Sequence, residues 1–159
     1  MENASYKRLQ KITLRFYDFP LMTMDLQRCD NGCCREKVTP PLILAVDDNE
    51  DNLQLLTALL AVNHCSFITA TDGQTALVMA QNYQPDLILL DMMLPDLSGI
   101  EVVNRLKQDP QTTAIPIIAV TAMAREQDRE RFLLSGCNDY IKKPYIIDEL
   151  EAMIRCYLC

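Results

Sequence analysis

The chain has 159 residues and a mass of 18.1 kDa, enough for one domain with a sizeable core and short of two. With 49% apolar and 23% charged residues it excludes a disordered composition, and no apolar run approaches the roughly 18 residues of a membrane span. Residues 1–41 carry seven Lys/Arg against five Asp/Glu, whereas residues 42–159 carry eight against seventeen, so the acidic body repels phosphate backbones and no nucleic acid is expected as a direct partner.

The first residues lack the charged, apolar and small-residue order of a secretory leader, so a cytoplasmic protein is expected. Its seven cysteines then read as thiols before disulfides. Pro40-Pro41 disfavours helix on both sides and marks a boundary. Before it, residues 29–37 have no periodic apolar pattern and read as a linker. Further upstream, Tyr6, Leu9, Ile12 and Phe16 recur at helical spacing, while Ile12, Leu14 and Phe16 also alternate as a strand. Residues 1–41 are therefore expected to be an N-terminal extension and linker, poorly ordered, with Met22 and Met24 as alternative starts.

After Pro41 the pattern becomes regular. Leu42–Val46 is a short apolar run suited to a strand buried on both faces. It ends in Asp47-Asp48, and Asp48 or Asn49 can cap a helix carrying Leu53, Leu56, Leu59 and Leu60. Cys65–Ala70 reads as a second strand and Gln74–Asn82 as a second helix. Asp86–Asp91 is the third strand, followed by a helix over Gly99–Gln108 with Ile100, Val103 and Leu106 inward. Ile115–Val120 is a fourth strand, and Ala124–Leu134 a polar-faced helix ended by a left-handed cap at Gly136. Asp139–Ile141 is a short fifth strand, and Ile146–Leu158 a last helix with Ile147, Leu150 and Ile154 on its apolar stripe.

Five strands alternating with five helices predict an α/β fold, a five-stranded parallel sheet with helices on both faces. In such sheets functional groups gather at the carboxyl ends of the strands. There the sequence puts Asp47 and Asp48, then Asp91, then Thr121, with Lys143 after the fifth strand. Clustered carboxylates repel one another unless a cation sits among them. Oxygen-only ligands from loops suit Mg²⁺ first and Mn²⁺ second. One carboxylate can then act as a nucleophile, with the metal and Lys143 neutralising charge on a transferred phosphoryl group.

The order and spacing of these residues resemble the receiver domain of two-component response regulators, the chemotaxis-regulator type included. The match runs from Val46-Asp47-Asp48 through Asp91, Pro95 and Gly99 to Thr121-Ala122, Tyr140 and Lys143-Pro144, and covers residues 42–159. The resemblance implies a flavodoxin-like (βα)5 domain with strand order 2-1-3-4-5. It implies that Asp91 accepts a phosphoryl group from a sensor histidine kinase or a histidine phosphotransfer protein. Mg²⁺ would be held by Asp48, Asp91 and the carbonyl of Met93, with Asp47 acting through water. Thr121 and Lys143 would hold the phosphoryl oxygens, beside a small Ala122 and a cis peptide before Pro144. Thr121 and Tyr140 would form the switch, biasing the face of the fourth helix, fifth strand and fifth helix toward a downstream protein or a second copy.

Because the chain stops at the fifth helix, the expected protein is a single-domain regulator that signals by protein contact, and an enzyme only in its self-phosphorylation and self-dephosphorylation. The alternative is a receiver serving as a phosphorylation-independent scaffold or dimerisation module. A phosphatase of the haloacid-dehalogenase type needs an aspartate where Met93 stands. Met93 and Met123 flank the expected path of an attacking water and cannot orient it, which predicts slow self-dephosphorylation. Cys29, Cys33, Cys34, Cys156 and Cys159 invite a zinc or redox reading, but with no histidine near them they are expected to be incidental. His64, the only histidine, falls where the first helix ends and reads as a surface residue.

Overall fold

The computed structural model describes residues 40–122 and 126–158. In chain order they form β1 (Leu42–Val46), α1 (Glu50–Val62), β2 (Ser66–Ala70), α2 (Gly73–Tyr83) and β3 (Leu87–Asp91). Then come α3 (Gly99–Gln108), β4 (Ile117–Thr121), α4 (Glu126–Ser135), β5 (Asp139–Lys142) and α5 (Ile147–Leu158). The strands make one parallel sheet in the order β2-β1-β3-β4-β5, as expected.

The strands are continuously apolar because the sheet is covered on both faces. Successive side chains alternate between those faces. Leu44, Val46, Ile88, Leu90, Ile117 and Ala119 enter one core with Met79 of α2, Val103 and Leu106 of α3 and Phe132 of α4. Ile43, Ala45, Leu87, Leu89, Ile118 and Val120 enter the other, against Leu56 and Leu60 of α1 and Leu150 and Ile154 of α5. The two cores share no buried residue.

Capping chemistry fixes where the helices begin. Asn49 accepts from the N–H groups of Asp51 and Asn52, and Asp72 accepts from the N–H and hydroxyl of Thr75. Ser98 accepts from the Glu101 N–H at the start of α3.

Several boundaries differ from the sequence expectation for identifiable reasons. β2 begins at Ser66 because His64, which is exposed, has φ 56° and the Cys65 N–H turns back to the Leu60 carbonyl. β3 begins at Leu87, since the Asp86 carboxylate accepts the Leu42 N–H at the strand start. β4 begins at Ile117 because Ile115 closes a turn onto the Thr112 carbonyl and Pro116 has no N–H. β5 runs one residue further, to Lys142. In α4, Ala124 lies outside the described residues, and Gly136 after it has φ +111°. In α5 the buried stripe starts at Leu150, whereas Ile147 is 47% exposed rather than inward.

At the start of α3 the backbone comes unusually close to β3. A Cβ on Gly99 would lie 2.5 Å from Met92 Cα and 3.0 Å from the Asp91 carbonyl oxygen. Glycine therefore lets α3 start against the end of that strand. Gly99→Ala should lower stability by about 2 kcal/mol, because backbone rather than a flexible side chain must move. A thermal melt checks this, and an unchanged midpoint would show that the loop accommodates the methyl group.

Candidate functional site

The sheet register brings the acidic groups together. Val46 pairs with Leu90, so Asp47, one residue past β1, and Asp91, the last residue of β3, fall side by side on the same face. Both are almost fully buried, at 1% and 5% exposure, and Thr121 at the end of β4 is as deep, at 1%. Asp48 is exposed beside them. Ligand oxygens of Asp47, Asp48 and Asp91 lie within 4.8 Å of one another, the one such acidic group among the described residues.

Lys143 follows β5, and its backbone N–H donates to the Thr121 carbonyl at 2.7 Å. Its ammonium donates to Asp47 Oδ2 and Asp91 Oδ2, both at 2.5 Å. Burial alone would lower the pKa of this amine, but hydrogen bonds and attraction to the two carboxylates outweigh it and raise the value. The Lys143–Pro144 peptide is cis.

The other carboxylate oxygens are held from the backbone side. Asp91 Oδ1 accepts the Met93 N–H at 2.8 Å. Asp47 Oδ1 accepts the Asn49 N–H at 3.0 Å and the Asn52 side-chain amide at 3.1 Å. Asn49 had a sequence signal as a cap. Asn52 had none, because one turn into a helix an asparagine reads as ordinary surface.

Three carboxylates against one ammonium leave a formal deficit of two positive charges in this pocket. An oxygen-only, acidic donor set of that charge at the strand ends fits a hard divalent cation. Met93, two residues past Asp91, is exposed, and Ala122 lies exposed next to Thr121. Met123 lies outside the described residues.

Tyr140 is on β5 at the sheet edge, packed against the α2–α3–α4 core, with the Arg129 guanidinium 5.6 Å from its ring centroid. Of the charged run in the fourth helix, Arg125 and the side chains of Glu126 and Gln127 lie outside what the structure describes. Among the cysteines of interest, Cys156 is exposed on α5, while Cys29, Cys33, Cys34 and Cys159 lie outside the described residues. No described helix is long and apolar enough to cross a membrane.

Comparison with known proteins gives a consistent result. The family profile for the response regulator receiver domain matches residues 43–155. The polar-differentiation response regulator DivK of Brucella anthropi is 40% identical over 119 residues, covering 75% of this chain and 97% of DivK. The chemotaxis response regulator CheY4 of Vibrio cholerae superposes with a TM-score of 0.72 at 27% identity, over 76% of this chain and all of CheY4. The receiver domain of the sensor histidine kinase PA1611 from Pseudomonas aeruginosa, solved with a magnesium ion coordinated in its active-site cleft, gives a TM-score of 0.70 at 32% identity, over 76% and 98% of the two chains. Profile, relatives and fold agree, and the chain belongs to the response regulator receiver domain family.

Proposed function

We propose that residues 42–159 form a phosphoryl-accepting receiver, preceded by an extension over residues 1–41, and that it works in the cytoplasm as a single-domain response regulator. Asp91 is the acceptor. One of its carboxylate oxygens attacks the phosphorus of a phosphohistidine on a sensor kinase or phosphotransfer protein. The O–P bond forms as the N–P bond breaks, and the electron pair returns to the imidazole. The observation that carries this reading is the Lys143 ammonium lying across Asp47 and Asp91 at the carboxyl edge of the sheet, with Asp48 and Thr121 beside it.

Each residue then has a physical task. Asp48, Asp91 and the Met93 carbonyl would hold Mg²⁺ directly and Asp47 through water. The bound ion would shield the charge of the incoming phosphoryl group. Lys143, already charged and desolvated, meets one phosphoryl oxygen, and the Thr121 hydroxyl meets another. Ala122 leaves room for the group. A phosphoryl adds close to two negative charges and three acceptor oxygens. Movement of Thr121 toward it would let Tyr140 turn inward, altering the α4–β5–α5 face that meets a downstream protein or a second copy.

Intact mass after incubation with a small-molecule phosphodonor tests the assignment. One phosphoryl adduct is expected, absent in Asp91→Ala and absent without Mg²⁺. No adduct in folded wild-type protein would move the reading to a phosphorylation-independent interaction module.

The adduct should also be long-lived, because the thioether side chains of Met93 and Met123 cannot orient an attacking water. Its decay, followed by mass with the donor removed, should speed up in a Met93→Asn, Met123→Glu double variant. Rapid decay in the wild type would overturn this.

The raised pKa of Lys143 has a defined sign. The stabilisation from its ion pairs is fully present below the unfolded-state value of about 10.4 and is lost as pH rises through the higher folded-state value. The difference in thermal midpoint between wild type and Lys143→Met should therefore hold steady from neutral pH up to about 10 and shrink above it. A difference that vanishes near neutrality would contradict the ion-pair assignment.

A further inference from the structure

The loop joining β3 to α3 spans residues 92–98. Its base is tied by the Met93 N–H to Asp91 Oδ1, by a bridge between Met93 and Ser98, and by the Gly99 N–H to the Met92 carbonyl. Its outer turn is fastened sideways to a different helix. Asp96 Oδ1 accepts the Gly73 N–H at 2.8 Å, and Asp96 Oδ2 accepts the Gln74 N–H at 2.9 Å. These are the first two residues of α2, whose N–H groups have no partner within the helix.

The contact is shaped as well as bonded. A Cβ on Gly73 would lie 2.8 Å from Val102 Cγ2, 3.0 Å from Leu97 Cβ and 3.3 Å from Asp96 Oδ1. Only a residue without a side chain lets the turn come this close. Asp96 is exposed; slight desolvation works against its ionised carboxyl, but N–H donors from Gly73, Gln74 and Leu97 prevail and hold it below its ordinary value. One shallow cavity is bordered by Asp48 of the acidic cluster, by Met93 and Pro95 of the loop, and by Asp96 of the clasp.

We infer that Asp96 is a positioning residue for the metal site, fixing the β3–α3 loop to the start of α2 so that the Met93 carbonyl stays aimed at the cation. The inference rests on the proposed Mg²⁺ site. By linkage, a cation that orders the loop also tightens the clasp. Asp96 touches neither metal nor phosphoryl group and acts only through Met93.

Isothermal titration of the full chain with Mg²⁺ tests this on wild type, Asp48→Ala, Asp96→Asn and Asp96→Ala. Asp96→Ala should weaken Mg²⁺ binding about tenfold, in the range seen when outer partners of metal ligands are removed. Asp96→Asn keeps one acceptor and should fall between. The Mg²⁺ concentration for half-maximal phosphorylation should rise by the same factor, with the rate at saturating Mg²⁺ unchanged. In the wild type, amide exchange at Gly73 and Gln74 should slow when Mg²⁺ is added. Equal Mg²⁺ affinity in wild type and Asp96→Ala overturns the inference while leaving the Mg²⁺ site intact. Exchange at Gly73 and Gln74 that ignores Mg²⁺ overturns it as well, and needs no variant to fold. A wild type that binds no Mg²⁺, or an Asp48→Ala that binds as tightly, overturns the proposed site and this inference together.

Discussion

A single ammonium shared between two buried carboxylates is the interaction on which this structure turns. Asp47 and Asp91 are carried to the end of an apolar sheet, where water is nearly excluded from both. Charges in that position are tolerated only when paired and hydrogen-bonded. Lys143 supplies the charge, and N–H groups of Asn49, Asn52 and Met93 supply the remaining bonds. The chain must therefore bring β5 back beside β4 before the ends of β1 and β3 are stable. An arrangement that gives three carboxylates one ammonium leaves two negative charges unmatched, which suits a hard divalent cation.

The backbone explains how the site combines deep groups with solvent-facing ones. Asp47 and Asp91 are fixed by strand register, one residue beyond the paired Val46 and Leu90. Lys143 is fixed through the bond from its N–H to the Thr121 carbonyl. Asp48, Met93 and Ala122 are exposed residues one or two positions past the strand ends. The deep groups hold the charge pattern, and the shallow ones meet the solvent and whatever approaches from it.

The fold was legible because buried parallel strands leave an unmistakable mark. Leu42–Val46 and Leu87–Leu90 are apolar without alternation, and each ends abruptly in aspartate. The candidate site was legible for the same reason, since five polar residues at or just past the strand ends stand out against that background. What stayed hidden were contacts between elements far apart in sequence. The Asp96 bonds to Gly73 and Gln74, the Asn138 side chain accepting from the Ile117 N–H, and the Asn63 amide reaching Glu151 all involve residues that look like ordinary turn and surface positions. Strand ends slipped where local backbone departs from its usual conformation, at His64, and where Pro116 interrupts the pairing ahead of β4. Ile147 shows the limit of periodicity, because an apolar residue in register with a stripe is buried only if the neighbouring element reaches that far.

The two cores on opposite faces of the sheet share no buried side chain, although β1, β3 and β4 feed both. Substitutions more than about 7–10 Å apart with no common partner tend to add rather than interact. Side-chain repacking beneath α1 should thus couple to α2 and α3 only through the strand backbones that both cores share, and the reverse. A lineage could recode α2 and α3 on one face, or α1 on the other, with little effect across the sheet, whereas α4 and α5 flank β5 and change a common surface. The sheet thus separates two helix layers along most of its width, while β5 at its edge, with Tyr140 against one core and Ile141 in the other, is where α4 and α5 come together as one surface.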